Sequence, residues 1–230
     1  MFSDAHLHLG DVKDAGYPFS SHPDIVFSCT ARPSEWTVND GYDHPVKRFY
    51  GVHPWYADEW NPTVESDLRR VLSEDPSAGV GEIGLDDTRG DMELQVTVFE
   101  DQLRIASETC RTVTVHMPGC ERQTLESIRR CAGGVPVILH AFKSESYVRP
   151  FSELNCYFSV GPRLLAKSAD NVRRVVSSIS RDRLLVETDA PHMPRGFTCV
   201  GDVVSRLAEV TSISPDELAE LTANNLRRIQ

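Results

Sequence analysis

The feature that most constrains this chain is an alternation that runs its whole length. Apolar runs of strand length fall at residues 2–9, 24–29, 48–53, 78–85, 112–116, 135–141, 156–160 and 183–189, and most are separated by stretches of helical period. Eight strands with mostly helical connections predict a parallel sheet in an α/β fold, and the number eight predicts a TIM (β/α)8 barrel. With no low-complexity tract and no Gly/Ser linker, residues 1–230 read as one domain.

Several connections carry helix signals of their own. Asn61 and Pro62 supply an N-cap and a first-turn proline ahead of Val64, Leu68, Val71 and Leu72. Met92, Val96, Phe99, Leu103 and Ala106 recur at helical spacing and predict a long amphipathic helix after strand four. Ser214-Pro215-Asp216-Glu217 reads as a capping box that opens the last helix. Residues 10–23 break the pattern, being rich in Asp, Ser, Gly and Pro without helical period, so the expectation there is a first helix that is missing or replaced by a loop.

Composition excludes several classes. Hydrophobic residues at 40% and charged residues at 25% are ordinary for a globular protein and exclude disorder, collagen and simple coiled coil. The apolar runs fall well short of the ~20 residues of a membrane span. The start Met1-Phe2-Ser3-Asp4 has neither a basic stretch nor an apolar run after it, so the expectation is a cytoplasmic protein without membrane contact. A net charge of −10 excludes polyanion binding through the bulk surface and requires a local positive site for any phosphate ligand. The six cysteines contain no C-x-x-C pair and read as buried, reduced thiols.

Chemistry concentrates at strand ends. Alternation along the first strand puts Asp4, His6 and His8 on one face and Ala5, Leu7 and Leu9 on the other. His6, His8, His53, His116 and His140, with Glu82 and Asp189, all fall near the C-terminal ends of predicted strands, where such a barrel builds its active site. One histidine there would read as structural; five at equivalent positions do not. Imidazole and carboxylate groups without cysteine suit divalent ions such as Zn²⁺ or Mn²⁺, and a carboxylate among several histidines suits a two-metal centre. Glu187 shares the parity of Asp189 one layer lower, where it reads as a partner within the barrel.

Seven blocks, Asp4-Ala5-His6-Leu7-His8, Gly51-Val52-His53-Pro54, Gly81-Glu82-Ile83-Gly84-Leu85-Asp86, Thr114-Val115-His116, Leu139-His140-Ala141-Phe142, Leu185-Val186-Glu187-Thr188-Asp189-Ala190-Pro191 and Asn224-Asn225-Leu226, together resemble the TatD family of metal-dependent deoxyribonucleases. The resemblance implies a barrel of the amidohydrolase superfamily that cleaves DNA phosphodiester bonds, as a 3'-5' exonuclease. It implies two divalent ions (Zn, Mg or Mn), with His6, His8 and Asp189 on one, His116 and His140 on the other, and Glu82 between them. Asp189 is then expected to orient or deprotonate the attacking water, and Glu82 to fix the metal spacing. His53 is expected either to meet the phosphate or leaving oxygen, or to orient a ligand.

The chain departs from the family pattern at substrate positions. Pro118 stands where an arginine is usual, Ala141-Phe142-Lys143-Ser144 replaces Cys-Phe-Ser-Gly, and a shortened segment follows Asp189. Lys143, Arg163 and Arg195 are the remaining candidate phosphate contacts, and Trp55 is a candidate base-stacking surface. The expected partner is DNA or another phosphodiester, with no obligate protein partner evident. A metal-dependent amide, ester or lactone hydrolase on the same barrel is the alternative, and a non-catalytic metal-stabilised scaffold is a further one.

Overall fold

β-branched and aromatic runs form the strands of a single parallel sheet because helices cover its outer face and leave no wet side to demand polar alternation. In the computed structural model, which describes residues 1–14, 23–37, 46–194 and 196–230, the strands are β1 (Ser3–Leu7), β2 (Ile25–Cys29), β3 (Val46–Tyr50), β4 (Gly79–Gly84), β5 (Val113–His116), β6 (Val137–Leu139), β7 (Cys156–Val160) and β8 (Leu184–Val186). They pair in sequence order, each parallel to the next. Backbone bonds just beyond β8 join it to β1, from Asp189 N to His6 O and from His8 N to Ala190 O. The expected TIM barrel is the observed fold.

The helices are α1 (Leu9–Asp14), α2 (Pro62–Glu74), α3 (Met92–Glu108), α4 (Glu121–Cys131), α5 (Glu145–Ser152), α6 (Pro162–Leu165), α7 (Ala169–Ser178), α8 (Val200–Thr211) and α9 (Pro215–Arg227). Asn61 caps α2 by accepting from the amides of Thr63 and Val64, and Leu68, Val71 and Leu72 turn inward as their spacing predicts. In α3 the buried stripe runs through Phe99, Leu103 and Ala106. Ser214 caps α9 by accepting from Glu217 N, but the Glu217 carboxylate turns to Arg181 rather than completing a box. No helix among the described residues is long and apolar enough to cross a membrane.

Three expectations are corrected. The first connection does open with a helix, α1, where one was expected to be missing or replaced by a loop; Leu9 and Val12 anchor it against Val26 and Ala190, while residues 15–22 of that connection lie outside the described residues. Strict alternation fails in β1, because its register on β2 shifts between Asp4 and Leu7. Ala5 therefore clusters with Phe27, Cys29 and Ile138, apart from Leu7 and Leu9, and the Asp4 carboxylate accepts from Thr188 N and Oγ1 at 3.0 and 2.6 Å and from His6 N at 3.2 Å. The cysteines are all free, but Cys110 is exposed and Cys199 half-buried; Cys29, Cys120, Cys131 and Cys156 are buried as expected.

The two ends of the barrel differ. At the N-terminal end the last turn closes the floor: Ile229 is buried, and its carbonyl accepts from Lys47 Nζ at 3.1 Å and from Thr112 Oγ1 at 2.9 Å. The Lys47 ammonium lies over the rings of Phe27 and Phe49 at 5.6 and 5.8 Å. The C-terminal end is open to a cavity of about 520 Å³.

Candidate active site at the barrel mouth

The strand ends deliver one cluster. His6 Nε2 and His8 Nε2 lie 3.2 Å apart, and each is 3.4 Å from Glu82 Oε2 and 3.8 Å from Asp189 Oδ1. The other oxygen of Glu82 faces the rest of the set: Oε1 is 2.8 Å from His116 Nδ1, 3.8 Å from His53 Nε2 and 3.9 Å from His140 Nε2. Asp189 Oδ2 is 3.9 Å from His140 Nε2. Glu82 is on β4 and is fully covered by these neighbours. Asp189 sits past the end of β8 with φ +61°, its amide bonded to His6 O, while the neighbouring Thr188 amide is taken by Asp4 Oδ1. The strand run expected to reach residue 189 stops at Val186.

The electrostatics follow from crowding such groups out of water. Burial works against charge on Glu82, but the imidazoles around it outweigh burial and hold its carboxyl well below the ordinary range. Burial likewise opposes protonation of His140, yet Glu187 and Asp189 push that imidazole up to about 10. Burial lowers His6, with the nearby His140 adding to it, and lowers His53 to about 3, so that His53 is neutral.

Three of the histidines are also held from behind. His6 Nδ1 lies 3.4 Å from Cys29 Sγ, His140 Nδ1 lies 2.9 Å from Glu187 Oε1, and His53 Nδ1 accepts from Trp55 N at 3.2 Å. These contacts leave the Nε2 atoms of all three directed to the cluster. Three overlapping groups can hold an ion, namely His6, His8 and Glu82; His6, His140 and Asp189; and His53, Glu82 and His116. Convergent imidazole nitrogens and carboxylate oxygens, fixed by contacts on their far atoms, fit divalent cations.

The cavity over the cluster brings in part of the remaining candidates. Trp55, Lys143 and Arg163 line it, with Arg163 Nε 3.6 Å from Asp189 Oδ2, and Pro118 lines it too. Arg195 lies outside the described residues. Among the described residues the lining carries six carboxylates against three Lys and Arg side chains, so the mouth without bound cations is no place for a phosphate.

Sequence reasoning assigned no part to Asp86. It is buried and accepts from His116 Nε2 at 3.0 Å, Trp55 Nε1 at 2.7 Å, Thr88 N at 2.9 Å and Thr88 Oγ1 at 2.6 Å. The one signal was its place within the Gly81-to-Asp86 block, two residues past the end of β4.

Histidine and carboxylate donors gathered at the C-terminal mouth of a (β/α)8 barrel define a metal-dependent hydrolase. The family model described as "TatD related DNase" matches residues 4–230, and the chain belongs to that family. It is 29% identical to the "Uncharacterized metal-dependent hydrolase TatD" of Mycobacterium tuberculosis over 215 residues, which is 86% of this chain and 78% of that one. It is also 29% identical over 201 residues to a protein of Erwinia tasmaniensis named "3'-5' ssDNA/RNA exonuclease TatD", covering 78% of this chain and 76% of the relative. Among solved structures, the TatD homolog YJJV of Escherichia coli superposes with a TM-score of 0.83 at 23% identity, over 99% of this chain and 97% of the other, and supports the fold.

Proposed function

We propose that this hydrolase is a two-metal deoxyribonuclease that shortens single-stranded DNA from its 3' end in the cytoplasm. The observation that carries the reading is the division of Glu82, whose Oε2 faces His6 and His8 while Oε1 faces His116 and His140. That arrangement supports one ion held by His6, His8 and Asp189, a second held by His116 and His140, and Glu82 bridging them, with Zn²⁺, Mg²⁺ or Mn²⁺ as the candidate ions. Bound divalent ions would supply Lewis acidity, acidifying water and neutralising phosphoryl charge.

The chain's own groups do the rest. Asp189, with its two oxygens set between the histidines and Arg163, orients a water and takes its proton. His53 is neutral and its Nδ1 accepts from Trp55 N, so Nε2 carries the hydrogen and can donate a hydrogen bond to a phosphate or leaving oxygen. Lys143, Arg163 and, by sequence position, Arg195 offer charge to phosphates beyond the cleaved one. Trp55, 43% exposed at the cavity wall, offers a stacking face to a base. The relative named as an ssDNA/RNA exonuclease supports a single-stranded substrate.

End-labelled single-stranded DNA incubated with the protein and Mg²⁺, Mn²⁺ or Zn²⁺ tests this. The expected result is stepwise shortening that falls at least ~100-fold in Glu82→Ala and Asp189→Asn, a loss of ~2.7 kcal/mol of transition-state stabilisation. Intact DNA with every ion, in a protein that binds those ions, would transfer the reading to amides, esters or lactones, a choice that Pro118 in the cavity wall keeps open.

A further inference from the structure

Asp86 is a buried carboxylate that ties together two parts of the mouth the sequence keeps far apart. His116 stands between two carboxylates, with Nδ1 2.8 Å from Glu82 Oε1 and Nε2 3.0 Å from Asp86 Oδ2. The nitrogen turned to the cluster is therefore Nδ1, whereas His6, His8, His53 and His140 approach Glu82 through Nε2. A histidine that gives up the lone pair of Nδ1 to a cation keeps its proton on Nε2, and a carboxylate fixed at that proton both selects the tautomer and strengthens the donor.

The same carboxylate oxygen of Asp86 accepts the indole N–H of Trp55 at 2.7 Å, while its other oxygen is anchored by Thr88 N and Oγ1. Trp55 is thereby held in one orientation. The Arg89 guanidinium covers a face of its indole at 4.0 Å, and the ring meets His53 edge-on at 5.0 Å. Without Asp86 the indole N–H and His116 Nε2 would both lose their carboxylate acceptor, and His116 could turn its ring or its tautomer.

We propose that Asp86 is a positioning residue that fixes His116 with Nδ1 presented to the metal centre and, through the same oxygen, locks Trp55 as the rigid wall of the substrate cavity. The inference rests on the reading of the mouth as a metal centre. It assigns Asp86 no contact with substrate and no proton transfer; its effect reaches the reaction through His116 and Trp55.

The test uses the full chain, ¹⁵N-labelled, as the parent and as Asp86→Asn and Trp55→Phe. Zn²⁺ is titrated by calorimetry, and the Trp55 indole ¹H–¹⁵N signal is followed in the metal-free protein. Asp86→Asn is nearly isosteric and keeps a hydrogen-bonding side chain, so its thermal unfolding is expected to remain cooperative. The expected result is that Asp86→Asn weakens one of the two Zn²⁺ sites about 10- to 100-fold, leaves the other within about threefold, and moves the indole signal upfield as the charged acceptor is lost. Trp55→Phe, which leaves Asp86 on His116, should keep both Zn²⁺ affinities within about threefold. Equal weakening of both sites, or a parent-like affinity with an unmoved indole signal, would overturn the proposal while the metal centre stands. A parent that binds no Zn²⁺ and no Mn²⁺ would overturn the metal-centre reading itself, and the role of Asp86 with it.

Discussion

The two ends of this barrel solve opposite problems with the same eight strands. At the floor, Phe27, Phe49 and Ile229 fill the space, and Lys47 has a carbonyl, a hydroxyl and two aromatic faces around it. At the mouth, five imidazoles and the carboxylates of Glu82, Asp86 and Asp189 crowd around an open cavity, with like groups as close as the 3.2 Å between His6 and His8. The floor is arranged for packing. The mouth takes ionisable groups out of water, a desolvation cost offset only by their contacts with one another, and such a cost persists where a site needs it. Substitutions should therefore separate cleanly, lowering stability at the floor and activity at the mouth.

The largest expected effect is at the floor. Phe27→Ala removes a fully buried ring and should lower unfolding free energy by ~3–5 kcal/mol, read by urea denaturation, while the surviving folded fraction keeps its activity per molecule. Loss of specific activity in that fraction would break the separation. Next comes Asp189→Asn at the mouth, expected to reduce DNA hydrolysis at least ~100-fold with little change in melting temperature, since the amide keeps the shape and hydrogen-bonding capacity of the side chain. A large fall in melting temperature would show that the mouth too is built for stability. Smaller again is Trp55→Ala, expected to weaken single-stranded DNA binding by ~1–3 kcal/mol in a filter or anisotropy assay.

A further effect is a pH dependence confined to the floor. Burial lowers Lys47 to about 8 from its ordinary 10.5, so between those values the unfolded chain binds more protons than the folded one. Stability from this group therefore rises as pH increases from about 8 towards 10.5 and is least below that window. Lys47→Met should flatten the rise measured by chemical denaturation, and an unchanged slope would contradict the account of the floor.

The same contrast explains what was legible in the sequence. Strand order and the barrel could be read because buried parallel strands and amphipathic helices leave periods of their own, as Leu68, Phe99 and Leu103 show. The gathering of His6, His8, Glu82, His116, His140 and Asp189 could be anticipated because each lies near the C-terminal end of a strand, and parallel order brings those ends together. What could not be read depends on pairing across the chain. The register shift in β1 that takes Asp4 to Thr188 has no mark in an alternating pattern. Asp86 stands in a connection, and its part emerges only when Trp55 and His116, about 30 residues away on either side, are folded against it.

The central claim is that the mouth is a cation-binding centre. Thermal unfolding of the parent and of Glu82→Ala, each in chelator and then with excess Zn²⁺ or Mn²⁺, tests it most directly. The account predicts that ions stabilise the parent, by about 2.7 kcal/mol at a concentration 100 times the dissociation constant, and leave Glu82→Ala nearly unmoved. A parent whose melting temperature ignores both ions, or a Glu82→Ala variant that gains as much as the parent, would contradict it.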